Sequence, residues 1–174
     1  MGSPDIRRAA TVADLTAAEH LFDHAVRPDW AERFLAADGH HLLLARAEGA
    51  DGPVGFVSGV ETVHPDKGAE MFLYELAVAE AYRRRGIGRA LVERLAALAR
   101  ERGCHGMWVG VDTGNDAALA AYRSAGGKGG ETCAVVTWDL GRSVRPGRPP
   151  AGTPASGCRG ADAGTAPSRG WPPP

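Results

Sequence analysis

Between Ile6 and Leu140 the apolar positions of this chain switch repeatedly between the two-residue rhythm of a strand and the longer rhythm of a helix. Ile6–Ala10 predicts a short strand. Thr11 opens a T-x-x-D capping sequence, and Val12, Leu15, Ala18, Leu21 and Phe22 follow at helical spacing. Pro28 starts a second short helix with Trp30, Phe34 and Leu35 on one side, stopped at Gly39. HLLLARA (41–47) and Val54–Val63 predict two strands joined as a hairpin by the polar turn EGADGP. MFLYELAV (71–78) is apolar nearly throughout, which predicts a central strand. Ile87–Arg102 is a long helix with Ala90, Leu91, Leu95 and Leu98 as its buried stripe, ended at Gly103. GMWVGV (106–111) predicts the next strand, Asn115–Ala125 a further helix, and AVVTWDL (134–140) a closing strand. Alternation of this kind predicts an α/β (α+β) domain: a mixed sheet with helices on both faces.

After Leu140 the pattern stops. Residues 141–174 hold eight of the twelve prolines and seven glycines, without apolar periodicity. Such a segment buries too little surface to offset its ordering entropy, so the expected division is a folded domain over 1–140 and a disordered, dispensable tail over 141–174. The tail also separates the charge. It carries five arginines and one aspartate, which leaves residues 1–140 with 15 basic and 20 acidic residues, a formal charge of −5. An acidic folded part argues against nucleic acid and for a cationic partner. No apolar run is long enough to span a membrane, and no secretory leader is visible, so a cytoplasmic location is expected. Cys104, Cys133 and Cys158 match no zinc or disulfide spacing, and no Glu-rich partner accompanies His20 and His24, four apart; no metal is expected.

The chemistry concentrates in AYRRRGIGRALV (81–92), where three arginines and two glycines precede a strong helix. The first amides of a helix lack intrahelical acceptors and carry the positive end of its dipole, and glycines let a ligand approach them closely. The combination suits phosphate. It is neither a P-loop nor a dinucleotide fingerprint, which would need glycine at Leu91. What it spells is R-x-x-G-x-G, Arg83 to Gly88, after the strand YELAV and before N-x-x-A-L-x-x-Y-x-x-x-G, Asn115 to Gly126.

On these motifs and the order of its elements, the chain resembles the GNAT acyl-CoA N-acyltransferases over about four-fifths of its length. The resemblance implies a mixed, mostly antiparallel central sheet with two splayed parallel central strands and helices on both faces. It also implies acetyl-CoA as cosubstrate. Backbone groups of Leu76 and Val78 would pair with the pantetheine arm; Arg83, Arg84, Arg85, Gly86, Ile87, Gly88 and Arg89 would surround the pyrophosphate; Asn115 would hydrogen-bond the arm. Tyr122 would be the general acid toward the departing thiolate, and Glu75 the base for the attacking amine. Gly127 departs from the family's usual aromatic.

The local wording FLYELAV, R-R-x-G-I-x-x-A-L and the Asp112–Asp116 stretch is similar to the small aminoglycoside 3-N-acetyltransferases, with Glu75 in place of an Asp and Asn115 in place of an acid. Such an acceptor carries several ammonium groups and should meet carboxylates, for which Glu75, Asp112, Asp116 and Glu131 are the candidates. Three readings stay open: acetylation of an amino sugar, acetylation of a protein N-terminus, lysine or other small amine, and a non-catalytic CoA-binding regulator. A homodimer is left open too.

Overall fold

The computed structural model describes residues 3–129 and 132–138. Its sheet has five strands in the order β1 (Asp5–Arg8), β2 (His40–Arg46), β3 (Pro53–His64), β4 (Gly68–Val78) and β5 (Gly106–Trp108). The first three pairings are antiparallel and β4 runs parallel to β5. The helices are α1 (Val12–Ala17), α2 (Pro28–Ala36), α3 (Ile87–Glu101) and α4 (Asp116–Ser124).

The expected signals act as read at several ends. Thr11 accepts from the Asp14 amide at 3.1 Å while the Asp14 carboxylate accepts from the Thr11 amide at 3.0 Å, a complete capping box. Pro28 occupies the first turn of α2. The α3 stripe is Ile87, Leu91, Val92, Leu95 and Leu98, packed on Leu43, Val57, Met71 and Leu73 of the sheet. Each such side chain, fully buried, stabilises by roughly 1.5–3 kcal/mol. Gly59 permits the close approach: a Cβ there would lie 2.8 Å from Met71 Sδ and 3.0 Å from Leu95 Cδ1. On the opposite face α1 and α2 cover Leu42, Leu44 and Phe56, so helices do lie on both faces.

Three expectations are corrected. α1 ends at Ala17, and Glu19–Leu21 tightens into a 3₁₀ turn that brings Phe22 edge-on to Phe56, 4.8 Å between ring centres. β5 stops at Trp108 rather than 111, because its pairing with β4 ends at Phe72↔Trp108. The closing strand over 134–140 does not form in its described part: residues 132–138 are irregular, with Val135, Val136 and Trp138 exposed. A strand needs a neighbour's hydrogen-bonding groups, and no described strand offers them to this segment. The tail, from 141 on, lies outside the described residues.

Candidate active site

The site is organised by one irregularity in β4. Gly59 pairs with Leu73 but Ser58 pairs with Glu75, so Tyr74 is an extra residue, a β-bulge. Before it, Met71 and Leu73 point toward α3; after it, Leu76 and Val78 do. Tyr74 and Glu75 therefore fall side by side on the other face, with Phe72 before them and Ala77 after. One residue further back, β5 parts from β4, since their shared register covers only Glu70–Phe72 and Gly106–Trp108. Beyond that point the β5-side edge of Leu76 to Val78 has no strand partner among the described residues. The end of the shared register is where the resemblance implies that the two parallel strands splay.

The turn after β4 leaves amides free. Among the described residues no acceptor bonds the backbone N–H groups from Arg84 through Arg89; the first helical bond of α3 runs from the Ala90 amide to the Gly86 carbonyl, 3.0 Å. Gly86 caps α3 with φ +80°, and Arg84 adopts φ +59°, a left-handed conformation that costs a non-glycine residue roughly 1–2 kcal/mol. The row of free amides at the start of a fifteen-residue helix fits an anionic diphosphate.

The arginines divide their work. Arg83 Nε donates to the Val78 carbonyl at 3.0 Å, tying the turn to the end of β4. Arg85 lies over the Tyr82 ring, 5.0 Å from its centre, and Arg89 pairs with Glu93 at 2.7 Å. For Arg84 no side-chain partner occurs among the described residues. Asn115 caps α4, its Oδ1 accepting from the Ala118 amide at 3.1 Å. That occupies the side-chain oxygen and leaves the amide NH2 for an arm passing the helix start.

Glu75 and Tyr122 approach the splay from opposite faces. Tyr122, on α4, packs against the α3-side cluster with Leu76 and Val78, and burial pushes its phenol above the ordinary range. The phenol therefore keeps its proton at neutral pH. Glu75 is half-buried opposite Ser58, and its carboxyl is raised first by burial and then by the Asp23 carboxylate. Asp23 was not foreseen. It sits in the 22–27 loop, which Phe22 anchors on Phe56 and which the Glu19 carboxylate holds by accepting from the Val26 amide at 2.7 Å. Asp112 Oδ1 accepts from the Gly114 amide at 2.8 Å in the exposed loop after β5, and Asp116 begins α4. Glu131 lies outside the described residues. Among the described residues no cluster of three or more His, Cys, Asp or Glu side chains is placed to hold a metal.

Two expected outcomes rest on the acid and base roles that the resemblance implies for Tyr122 and Glu75. With Tyr122 as the general acid that the resemblance implies, Tyr122→Phe should lower kcat by roughly 10- to 100-fold while leaving the KM for acetyl-CoA within about twofold. Steady-state kinetics in both substrates reads this. Asp23→Asn should move the acidic limb of the kcat/KM profile to lower pH. Removing a like charge lets the Glu75 carboxyl ionise earlier, though burial, the larger cause, still holds it above the ordinary carboxylate range.

Residues 9–126 match the family model for the acetyltransferase (GNAT) family. The chain belongs to that family and is an N-acetyltransferase by class, with acetyl-CoA the family's acyl donor. It is 32% identical over 113 residues to a [ribosomal protein bS18]-alanine N-acetyltransferase of Escherichia coli K12, covering 65% of this chain and 74% of that one. It is 35% identical over 118 residues to the N-alpha-acetyltransferase RimI of Mycobacterium tuberculosis, covering 68% and 71%. Among solved structures, an aminoglycoside acetyltransferase from an uncultured soil metagenomic sample superposes with a TM-score of 0.64 at 28% identity, covering 82% of this chain and all of that one.

Proposed function

We propose that this protein acetylates a primary amine of an aminoglycoside or related amino sugar by direct attack on acetyl-CoA. The observation that carries the reading is the carboxylate pair at the parting of the strands: Glu75 half-buried beside the bulge, with Asp23 close enough to raise its carboxyl. A polycation is the partner that relieves such a like-charge pair. The metagenomic aminoglycoside acetyltransferase, similar across nearly the whole domain, supports the same choice.

In this scheme the amides from Arg84 to Arg89, with Arg84's charge, hold the pyrophosphate, while Leu76, Val78 and Asn115 align the pantetheine arm. Glu75 takes the proton of the incoming amine, directly or through water. The new C–N bond forms as the C–S bond breaks, and Tyr122 supplies the proton to the departing sulfur. Asp112, Asp116 and Glu131 add negative charge that steers the acceptor.

A second reading, acetylation of a protein's N-terminal amine, is favoured by the names of the E. coli and M. tuberculosis relatives. The test is thiol release from acetyl-CoA with kanamycin- and gentamicin-type amino sugars, open-chain polyamines and alanine-started peptides, each alone. Release with amino sugars bears the proposal out. Release with peptides alone replaces it by the second reading, and CoA binding without release on any amine points to a regulator.

A further inference from the structure

One exposed feature of the sheet has no part in the scheme above. Phe72, Tyr74 and Trp108 form a continuous aromatic row on the face that also carries Glu75. Phe72 stacks on Trp108 at 4.3 Å between centres with planes 30° apart, and meets Tyr74 edge-on at 6.0 Å. Phe72 is thereby partly covered, whereas Trp108 is 48% exposed and Tyr74 68% exposed. Without the bulge, strand alternation would send Tyr74 and Glu75 to opposite faces; with it, ring and carboxylate are neighbours in sequence and in space.

We propose that Tyr74 and Trp108 are the shelf on which the acceptor's ring lies, so that this face selects amines borne on a saturated ring. The inference rests on acetyl transfer to an amino sugar and names the residues that would distinguish it from other amines. The chemistry is specific to that class. A sugar ring presents flat C–H faces that pack on aromatic faces, and its ammonium groups are attracted both to the ring quadrupole and to carboxylates. Trp108 and Tyr74 supply the first surface, Glu75 and Asp23 the second, and the −5 formal charge of residues 1–140 favours the same cation. A peptide N-terminus would be held differently, by main-chain hydrogen bonds along a strand edge with side chains in pockets, and would use little of a flat shelf.

The experiment measures KM for a kanamycin-type amino sugar and for an open-chain polyamine in the full-length protein and in Tyr74→Ala, Trp108→Ala and Trp108→Tyr. The alanine variants should each raise the KM for the amino sugar about tenfold, the scale of a lost aromatic contact, and leave the polyamine KM within about twofold. Trp108→Tyr should restore most of the loss, and calorimetric acetyl-CoA binding, unchanged, reports that each variant is folded. Parent activity on the amino sugar with no change in the alanine variants would overturn the shelf and leave the proposed function standing. An equal loss for ring-borne and open-chain amines would overturn it too, as general damage to the acceptor site. Acetylation of alanine-started peptides alone by the parent would overturn both.

Discussion

Glu75→Gln should lower kcat by on the order of 100-fold or more, within the range a positioned general base supplies, and leave acetyl-CoA affinity nearly unchanged. The amide keeps the shape of the side chain but cannot take a proton. The same change should also stabilise the fold at neutral pH. Burial raises the Glu75 carboxyl above its unfolded value, so the folded state binds that proton more tightly than the unfolded chain does. The favourable contribution is complete below the unfolded pKa and is lost as pH rises through the folded one. In the parent, stability should therefore decline from the ordinary carboxylate range up to the shifted pKa, and in Glu75→Gln that decline should be absent. Thermal melts across pH 4 to 8, set beside kcat, would show activity and stability moving in opposite directions. Such opposition is expected of a group buried for its chemistry.

The second large effect belongs to the glycine turn. Gly88→Glu should weaken CoA binding by roughly 100-fold, about 2.7 kcal/mol, while the protein stays folded. The fold itself accepts a side chain there: a Cβ at Gly88 would meet Val78 Cγ2 at 3.8 Å and Leu76 Cδ2 at 3.9 Å, ordinary contacts. A carboxylate there would compete with the diphosphate for the free amides and repel its charge, which weakens CoA binding and not the fold. Gly86 is a poorer probe. Its φ of +80° strains any substitution, so Gly86→Val mixes folding with binding. Calorimetry with CoA on folded Gly88→Glu decides the matter, and unchanged affinity would remove the amide cradle from the account.

Much of this site was legible in the sequence because its parts are local. The R-x-x-G-x-G turn, the α3 stripe and the cap before α4 each depend on residues a few positions apart, and periodicity or turn chemistry exposes them. What escaped was long-range or hidden by composition. The bulge at Tyr74 sits in MFLYELAV, where nearly every position is apolar and a shift of face breaks no visible alternation; the adjacent Tyr-Glu pair is its only trace. Asp23 lies far from Glu75 in the chain, and only the packing of Phe22 on Phe56 brings its loop to the sheet. Arg83 reads as a phosphate ligand; its Nε also braces the Val78 carbonyl, a second role that a charge count cannot reveal. AVVTWDL had the composition of a strand, but composition does not provide a partner edge, and its described part forms none.

The most direct test of the account places a kanamycin-type amino sugar and an alanine-started peptide together with acetyl-CoA and the full-length protein, and follows both by mass spectrometry. The account predicts a single added acetyl group on the amino sugar, accumulating with CoA release, while the peptide remains unmodified. Acetyl groups appearing on the peptide with the amino sugar unchanged would contradict it.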